Sequence, residues 1–204
     1  MESTIAIAVI DSAVRYLQAD SDKPMAKDVV SALLAAERQS KQAKRHYQYD
    51  QLLGSWRLGF VSGTQKVRPS PSSTPVTKPG KGRFLPRFLS IEITYAQEEA
   101  TAADDLFGTV ENAVTLGPIN LQLDGPTRFW PRSNSLGFDF TALQAKLGSL
   151  PLYAGSIRGG AERNSIFKTQ ALKDQAFFTF FTVEADCLAA RGKGGGLALW
   201  VRSL

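Results

Sequence analysis

The sequence predicts a mainly β fold, an antiparallel sandwich or barrel preceded by α-helices. Three observations carry that expectation. From Leu89 onward, apolar and polar residues alternate in short runs separated by Gly, Pro and Asp. Before residue 50, apolar residues recur instead at three- and four-residue spacings, the stripe of an amphipathic helix. Between the two regimes stands Leu52-Leu53-Gly54-Ser55-Trp56-Arg57-Leu58-Gly59-Phe60. Gly54 permits a tight backbone turn, and Trp56, Leu58 and Phe60 then fall on one face at the strand period of two. A large ring at the first inward position suits the closed end of a small antiparallel barrel, which points to a container rather than an enzyme.

Taken in order, residues 4–18 carry Ile7, Ile10, Val14 and Leu17 at helical spacing. Asp20-Ser21-Asp22-Lys23-Pro24 breaks the chain, with Asp22 as N-cap of a second helix and Pro24 in its first turn. Met25, Val29, Val30, Leu33 and Leu34 form the second stripe, which fades into polar residues and extends to about residue 46. Residues 1–50 are thus expected to form a helical segment packed on the barrel of residues 51–204, or alternatively a dimerisation hairpin. Residues 62–83 are rich in Ser, Pro, Gly and Thr and cannot bury enough surface to offset their ordering entropy, so a mobile loop is expected there.

The later strands follow from alternation. Ile91, Ile93 and Tyr95 share one face. Val110, Asn112, Val114 and Leu116 share the next, and Ile119, Leu121 and Leu123 the one after. Asp124-Gly125-Pro126 is read as a turn, followed by Leu136, Phe138 and Phe140 on one face. Residues 177–183 are apolar on both faces, and residues 184–191 and 196–202 complete the series. The pattern is read as β throughout from Leu89. Gly192-Lys193-Gly194-Gly195-Gly196 lacks the spacing of a phosphate loop and is read as a hairpin turn.

Composition narrows the chemistry. The chain has 204 residues, 43% hydrophobic and 21% charged, ordinary for one globular domain with an appendage. No apolar run approaches the roughly 20 residues of a membrane-spanning helix. The first residues resemble neither a signal nor a transit peptide, which fits a bacterial-type cytoplasm or a processed form. Cys187 and His46 are the lone cysteine and histidine, too few for a disulfide framework or a zinc site of the usual Cys/His kind. Glu98-Glu99 and Asp104-Asp105 are paired acids with no partner of different pKa, so they read as solvated surface rather than as a catalytic pair. No catalytic residue, metal or cofactor is expected. Residues 51–91 hold seven basic side chains and no acidic one, a composition that reads first as a solvated loop and, alternatively, as a patch able to attract phosphates. A membrane surface is favoured over nucleic acid, because the aromatics are not interleaved as stacking platforms.

Four stretches in sequence order resemble the PAP/fibrillin family, the plastid lipid-associated proteins of plants, algae and cyanobacteria. Leu52-Leu53-Gly54-Ser55-Trp56-Arg57-Leu58 is similar to the family's opening, and Val110-Glu111-Asn112-Ala113-Val114 to its Val-Glu-Asn strand. Leu150-Pro151-Leu152 resembles its leucine/proline stretch. Asp186-Cys187-Leu188-Ala189-Ala190-Arg191-Gly192, with Gly196-Leu197-Ala198-Leu199-Trp200-Val201-Arg202, resembles its last two strands. The resemblance implies a lipocalin-like β-barrel. It further implies non-catalytic binding of a lipid, carotenoid or prenylquinone at thylakoid membranes or lipid globules, in a cyanobacterium or a plastid.

In barrels of that type a basic side chain of the last strand lies over the first-strand tryptophan, so Arg202 and Arg191 join Gly54 and Trp56 as closure candidates, with Arg202 preferred. Leu58, Phe60, Ile93, Tyr95, Leu121, Phe138, Phe140, Phe178 and Phe180 are the ligand-lining candidates, and Lys78, Lys81, Arg83 and Arg87 the membrane contacts. Two alternatives share the fold: a scaffold protein with a filled barrel that coats membranes or holds a partner enzyme, and a bilin chromophore lyase.

Overall fold

The computed structural model describes residues 2–19, 21–66, 77–98 and 106–203. Its helices and strands begin with α1 (Glu2–Ala19), α2 (Ala26–Gln42), β1 (Gly54–Val61), β2 (Thr64–Lys66) and β3 (Thr77–Pro79). Next come β4 (Arg83–Phe84), β5 (Leu89–Gln97), β6 (Phe107–Leu116) and β7 (Ile119–Trp130). The chain continues with β8 (Ser135–Phe138), β9 (Ala142–Leu147), β10 (Leu150–Ser156) and α3 (Gly160–Thr169). It ends with β11 (Ala176–Val183), β12 (Cys187–Gly192) and β13 (Leu197–Arg202).

The fold is mainly β, with a closed eight-stranded antiparallel barrel and two N-terminal helices. Around the barrel the strands run β1–β13–β12–β11–β8–β7–β6–β5 and return to β1. Two apolar layers hold it together. Inside, Trp56, Tyr95, Phe129, Leu136, Phe180, Leu188 and Trp200 pack on one another. Outside, α1 and α2 lie on the β1, β11, β12 and β13 wall, where Ile10, Val14, Val29 and Leu33 meet Phe60, Phe181, Leu197, Leu199 and Val201. A polar bond ties the same layers: Arg191 donates to both carboxylate oxygens of Glu37, at 2.8 and 2.5 Å.

Several local expectations need correction. Period-two counting put Phe60 on the inner face with Trp56 and Leu58, but the register of β1 against β13 shifts between Leu58 and Phe60. That bulge turns Phe60 outward, against Phe84 at a ring separation of 5.0 Å. Gly59 makes the arrangement possible, because a Cβ there would lie 2.3 Å from a Leu17 methyl of α1. A second bulge, between Phe180 and Thr182, puts Phe181 on the helix side while Phe178 and Phe180 stay inside. The N-cap of α2 is Met25 rather than Asp22, and the helix ends at Gln42, short of residue 46. The mobile-loop expectation for 62–83 is corrected at its ends, where β2 and β3 pair as a hairpin; residues 67–76 lie outside the described residues.

Asp124-Gly125-Pro126 does not turn the chain; it sits in the middle of the twelve-residue strand β7. Before it, 119–124 pair with β9; after it, 127–130 pair with β8. The sheet forks here for a steric reason. Gly125 leaves room for the Asp139 carbonyl, which a Cβ would approach within 2.0 Å, and Pro126 has no N–H to leave unpaired at the gap. The backbone amide of Asp139 donates to the Pro126 carbonyl at 3.2 Å, closing the fork.

The helix α3 interrupts the stretch read as β throughout. Its one buried side chain is the ring of Phe167, and Ile166 beside it is exposed, so no apolar stripe marks the helix in the sequence. Arg163 and Arg158 reach Asp139 at 2.6 and 3.4 Å and fasten the helix and the turn before it to the fork.

Candidate functional site

The barrel has one end sealed by side chains and one end that runs on into an open sheet. At the sealed end, a 3₁₀ turn over Tyr49–Leu52 plugs the opening ahead of Gly54, whose φ of +101° is a conformation suited to glycine. Trp56 is fully buried and its indole N–H donates to the Leu52 carbonyl at 2.8 Å. Arg202 lies over that indole, 3.8 Å from guanidinium carbon to ring centroid. Its guanidinium also donates to the carbonyls of Ala185 (2.7 Å) and Leu53 (3.2 Å). A Cβ on Gly54 would sit 2.8 Å from that guanidinium, so the glycine serves both the turn and the cation. Arg191, the other closure candidate, is not here; it belongs to the Glu37 pair on the helix-covered wall.

That wall is electrostatically tight. Burial alone would raise the Glu37 carboxyl, but hydrogen bonds from Arg191 and Lys41 outweigh it and hold the group below its ordinary value. The same bond raises Arg191. Cys187, under the helices, is pushed up to about 12 by burial first and by the neighbouring acidic residues second, so its thiol stays protonated and inert.

The interior is filled by its own rings. Phe178 stacks on Phe138 at 5.1 Å and meets Trp200 edge-on at 5.1 Å. Phe140 lies 5.5 Å from Phe138, and Phe180 lies 6.4 Å from Trp200. Of the ligand-lining candidates, Leu58, Ile93, Tyr95, Phe138, Phe140, Phe178 and Phe180 pack in this inner cluster. Phe60 is excluded by its bulge. Trp200, which the candidate set lacked, is central to the cluster; its place in the apolar run 197–201 was the available signal. Lower down, the Tyr49 hydroxyl shares a 2.7 Å hydrogen bond with Thr127, while the buried Tyr95 hydroxyl has no partner among the described residues. Burial pushes Tyr95 far above its ordinary value.

Leu121 lies on the same inner face but beyond the barrel. Direct pairing across the strands continues that face outward in rows. Ile93 is opposite Asn112, which is opposite Leu123 and then Leu143. The next row runs Ile91, Val114, Leu121, Ala145 and Tyr153, and the outermost runs Leu89, Leu116, Ile119, Leu147 and Leu150. Past the fork no strand among the described residues closes over these rows, because β8 pairs only with the second half of β7. Leu116, Ile119, Leu121, Leu147, Leu150, Leu152 and Tyr153 consequently stand between 39% and 61% exposed. The opposite face is polar, with Ser90, Thr115, Asn120 and Lys146 in one row and Glu92, Ala113, Gln122 and Gln144 in the next. The result is an amphipathic plate whose apolar face is continuous with the barrel interior. A contiguous exposed apolar surface of this kind marks an interaction site.

Its margin is basic. Residues 81–91, 112–123 and 143–157 contain Lys81, Arg83, Arg87 and Lys146 and no acidic residue. Lys81 and Arg83 are exposed where β1 ends, and Phe88, later in the same segment, is 72% exposed. Arg87 leans toward α1, 6.0 Å from the Tyr16 ring. Lys78 falls on β3, and its side chain lies outside the described residues. No helix among the described residues is long and apolar enough to cross a membrane.

No protein-family model, curated protein or solved structure matches this chain.

Proposed function

We propose that this protein is a non-catalytic binder of apolar, lipid-like molecules, which it holds against the plate at the open end of its barrel and not deep inside it. One observation carries the reading: the inner apolar face of β5, β6 and β7 continues through β9 and β10 past the point where the barrel closes. An acyl or isoprenoid chain laid along that face would cover residues that now face water, at about 25 cal/mol per Å² of apolar area removed. The resemblance to the PAP/fibrillin proteins is what would set such a ligand among carotenoids, prenylquinones and thylakoid lipids.

The filled interior supports a second reading, in which the plate and its basic margin lie on a lipid surface as a coat and no single ligand is extracted. Apolar tips at 116–119 and 147–152, flanked by Lys81, Arg83 and Lys146, suit an anionic membrane, where each cation near the surface adds about 1 kcal/mol.

Fluorescence titration with cis-parinaric acid and retinol tests the first reading. Saturable binding, weakened about tenfold in Leu150→Ser/Leu152→Ser, is expected from the loss of buried methylenes. Equal binding by wild type and variant would overturn it. If neither probe binds but anionic vesicles sediment the wild type and not the variant, the coat reading stands instead.

A further inference from the structure

We propose a second site, far from the plate and independent of it: a cleft that binds a phosphate monoester. It opens between the end of α2, the segment 44–48 and the 3₁₀ turn Pro131–Ser133, with a volume of about 370 Å³. That is within the range of small-molecule sites. Lys41, Lys44, Arg45, His46 and Arg132 surround it, and Glu37 is the one carboxylate in its lining. Glu37 is already satisfied by Arg191 and Lys41, the latter at 2.9 Å. Among the described residues no carboxylate pairs with Lys44, Arg45 or Arg132, so three basic residues line one small cavity without an ion-pair partner.

The backbone holds these cations in place. After α2 the chain turns through Lys44 at a φ of +49°, with Ala43 donating to the Gln39 carbonyl (2.8 Å) and Arg45 to the Ser40 carbonyl (3.0 Å). This is the helix-ending turn that glycine usually makes, here made by lysine. The carbonyls of Gln39, Ser40 and Lys41 are taken up by the amides of this turn, which reduces the number of free acceptors that would oppose an anion at the helix end. Across the cleft Asn134 is also left-handed, at a φ of +50°. Its amide donates to the Arg45 carbonyl at 2.7 Å and accepts from the Tyr47 N–H at 3.0 Å, clamping the basic segment. His46 donates from Nδ1 to the Pro131 carbonyl at 3.3 Å. Of three non-glycine residues with positive φ among the described residues, two lie on this cleft. Strained backbone conformations concentrate at functional sites.

A phosphate monoester fits best because its dianion presents three acceptor oxygens, which the planar forks of Arg45 and Arg132 and the point charge of Lys44 can share. The ester could belong to a soluble metabolite or to a lipid headgroup. NMR titration with glycerol 3-phosphate at fixed ionic strength, beside sedimentation with vesicles of phosphatidic acid or of phosphatidylcholine alone, separates the two. Saturable shifts confined to residues 40–46 and 131–135 are expected, about tenfold weaker in Lys44→Gln/Arg132→Gln and unchanged in Lys81→Gln/Arg83→Gln. Both pairs are exposed, and the amide spectrum of each variant reports its fold directly. Phosphatidic acid vesicles retained by wild type and released by the cleft variant would identify a lipid headgroup; a response to glycerol 3-phosphate alone would identify a soluble ester. Unsaturable shifts, shifts shared with Lys81 and Arg83, or a cleft variant that binds like wild type would overturn the proposal. The plate variant Leu150→Ser/Leu152→Ser leaves this titration unchanged, so failure here is distinct from failure of the open-end reading.

Discussion

The two ends of the barrel are built from the same strands and the same alternation, yet one is core and the other is surface. At the closed end Trp56 is fully buried, its N–H is bonded, and Arg202 covers its face. At the open end Leu121 and Leu150 occupy equivalent inward positions and remain well exposed. The difference is the presence of strands on the far side. Around Trp56 eight strands close the circle, whereas in residues 119–124, ahead of Gly125, the strand β7 pairs with β9 instead of β8 and the circle opens. Inward-facing residues are therefore a core only as far as the ring is complete.

Three measurements press on that comparison. The largest effect is expected at the closed end: Trp56→Ala should cost about 3–5 kcal/mol in chemical denaturation, the range for truncating a large core aromatic. A cost under about 1 kcal/mol would mean that the plug is not part of the cooperative core.

An intermediate effect belongs to the wall that the helices cover. Because Glu37 titrates below its ordinary value of 4.5 in the folded protein, it contributes stability above that value, and the contribution is lost as pH falls through the folded value. Glu37→Gln should lower stability at neutral pH and flatten its fall below about pH 4.5. An unchanged acid limb would show that the Arg191 bridge is energetically idle.

The smallest effect is expected at the open end. Leu150→Ala should change stability by no more than about 0.5 kcal/mol, as for other exposed positions, even though it removes as inward a leucine as any in the sheet. A loss several times larger would mean that the plate is covered in solution, by a second copy or by a bound molecule, and the concentration dependence of the midpoint would distinguish these.

Much of the fold was legible in the sequence, for identifiable reasons. The helical stripes of residues 4–18 and 25–34 and the alternation of β5 to β7 are long enough to carry their own period. Arg202 was legible as a partner for Trp56 through the resemblance, which puts a basic residue of the last strand over the first-strand tryptophan, and because it ends the apolar run 197–201. What escaped was set by contacts distant in sequence. The bulge at Gly59 depends on Leu17, forty-odd residues earlier, pressing into the missing side chain. Gly125-Pro126 has the composition of a turn but is a fork, because its neighbours are Asp139 and the two strands β8 and β9. The helix α3 has a single anchoring ring and no stripe to read. The basic cleft brings residues 41–46 together with 132–134, which no local pattern joins.

By itself the sequence determined which face is apolar in the strands without bulges, where the N-terminal helices give way to strands, and the Gly54–Trp56 entry to the first strand. Only the tertiary structure decided how deep each apolar residue lies. Alternation encodes the side of a sheet, a property of the backbone pleat, whereas burial requires a second surface opposite, and that surface is supplied by strands remote in the chain. At one end of this barrel it is present; at the other the same pattern is left open to water.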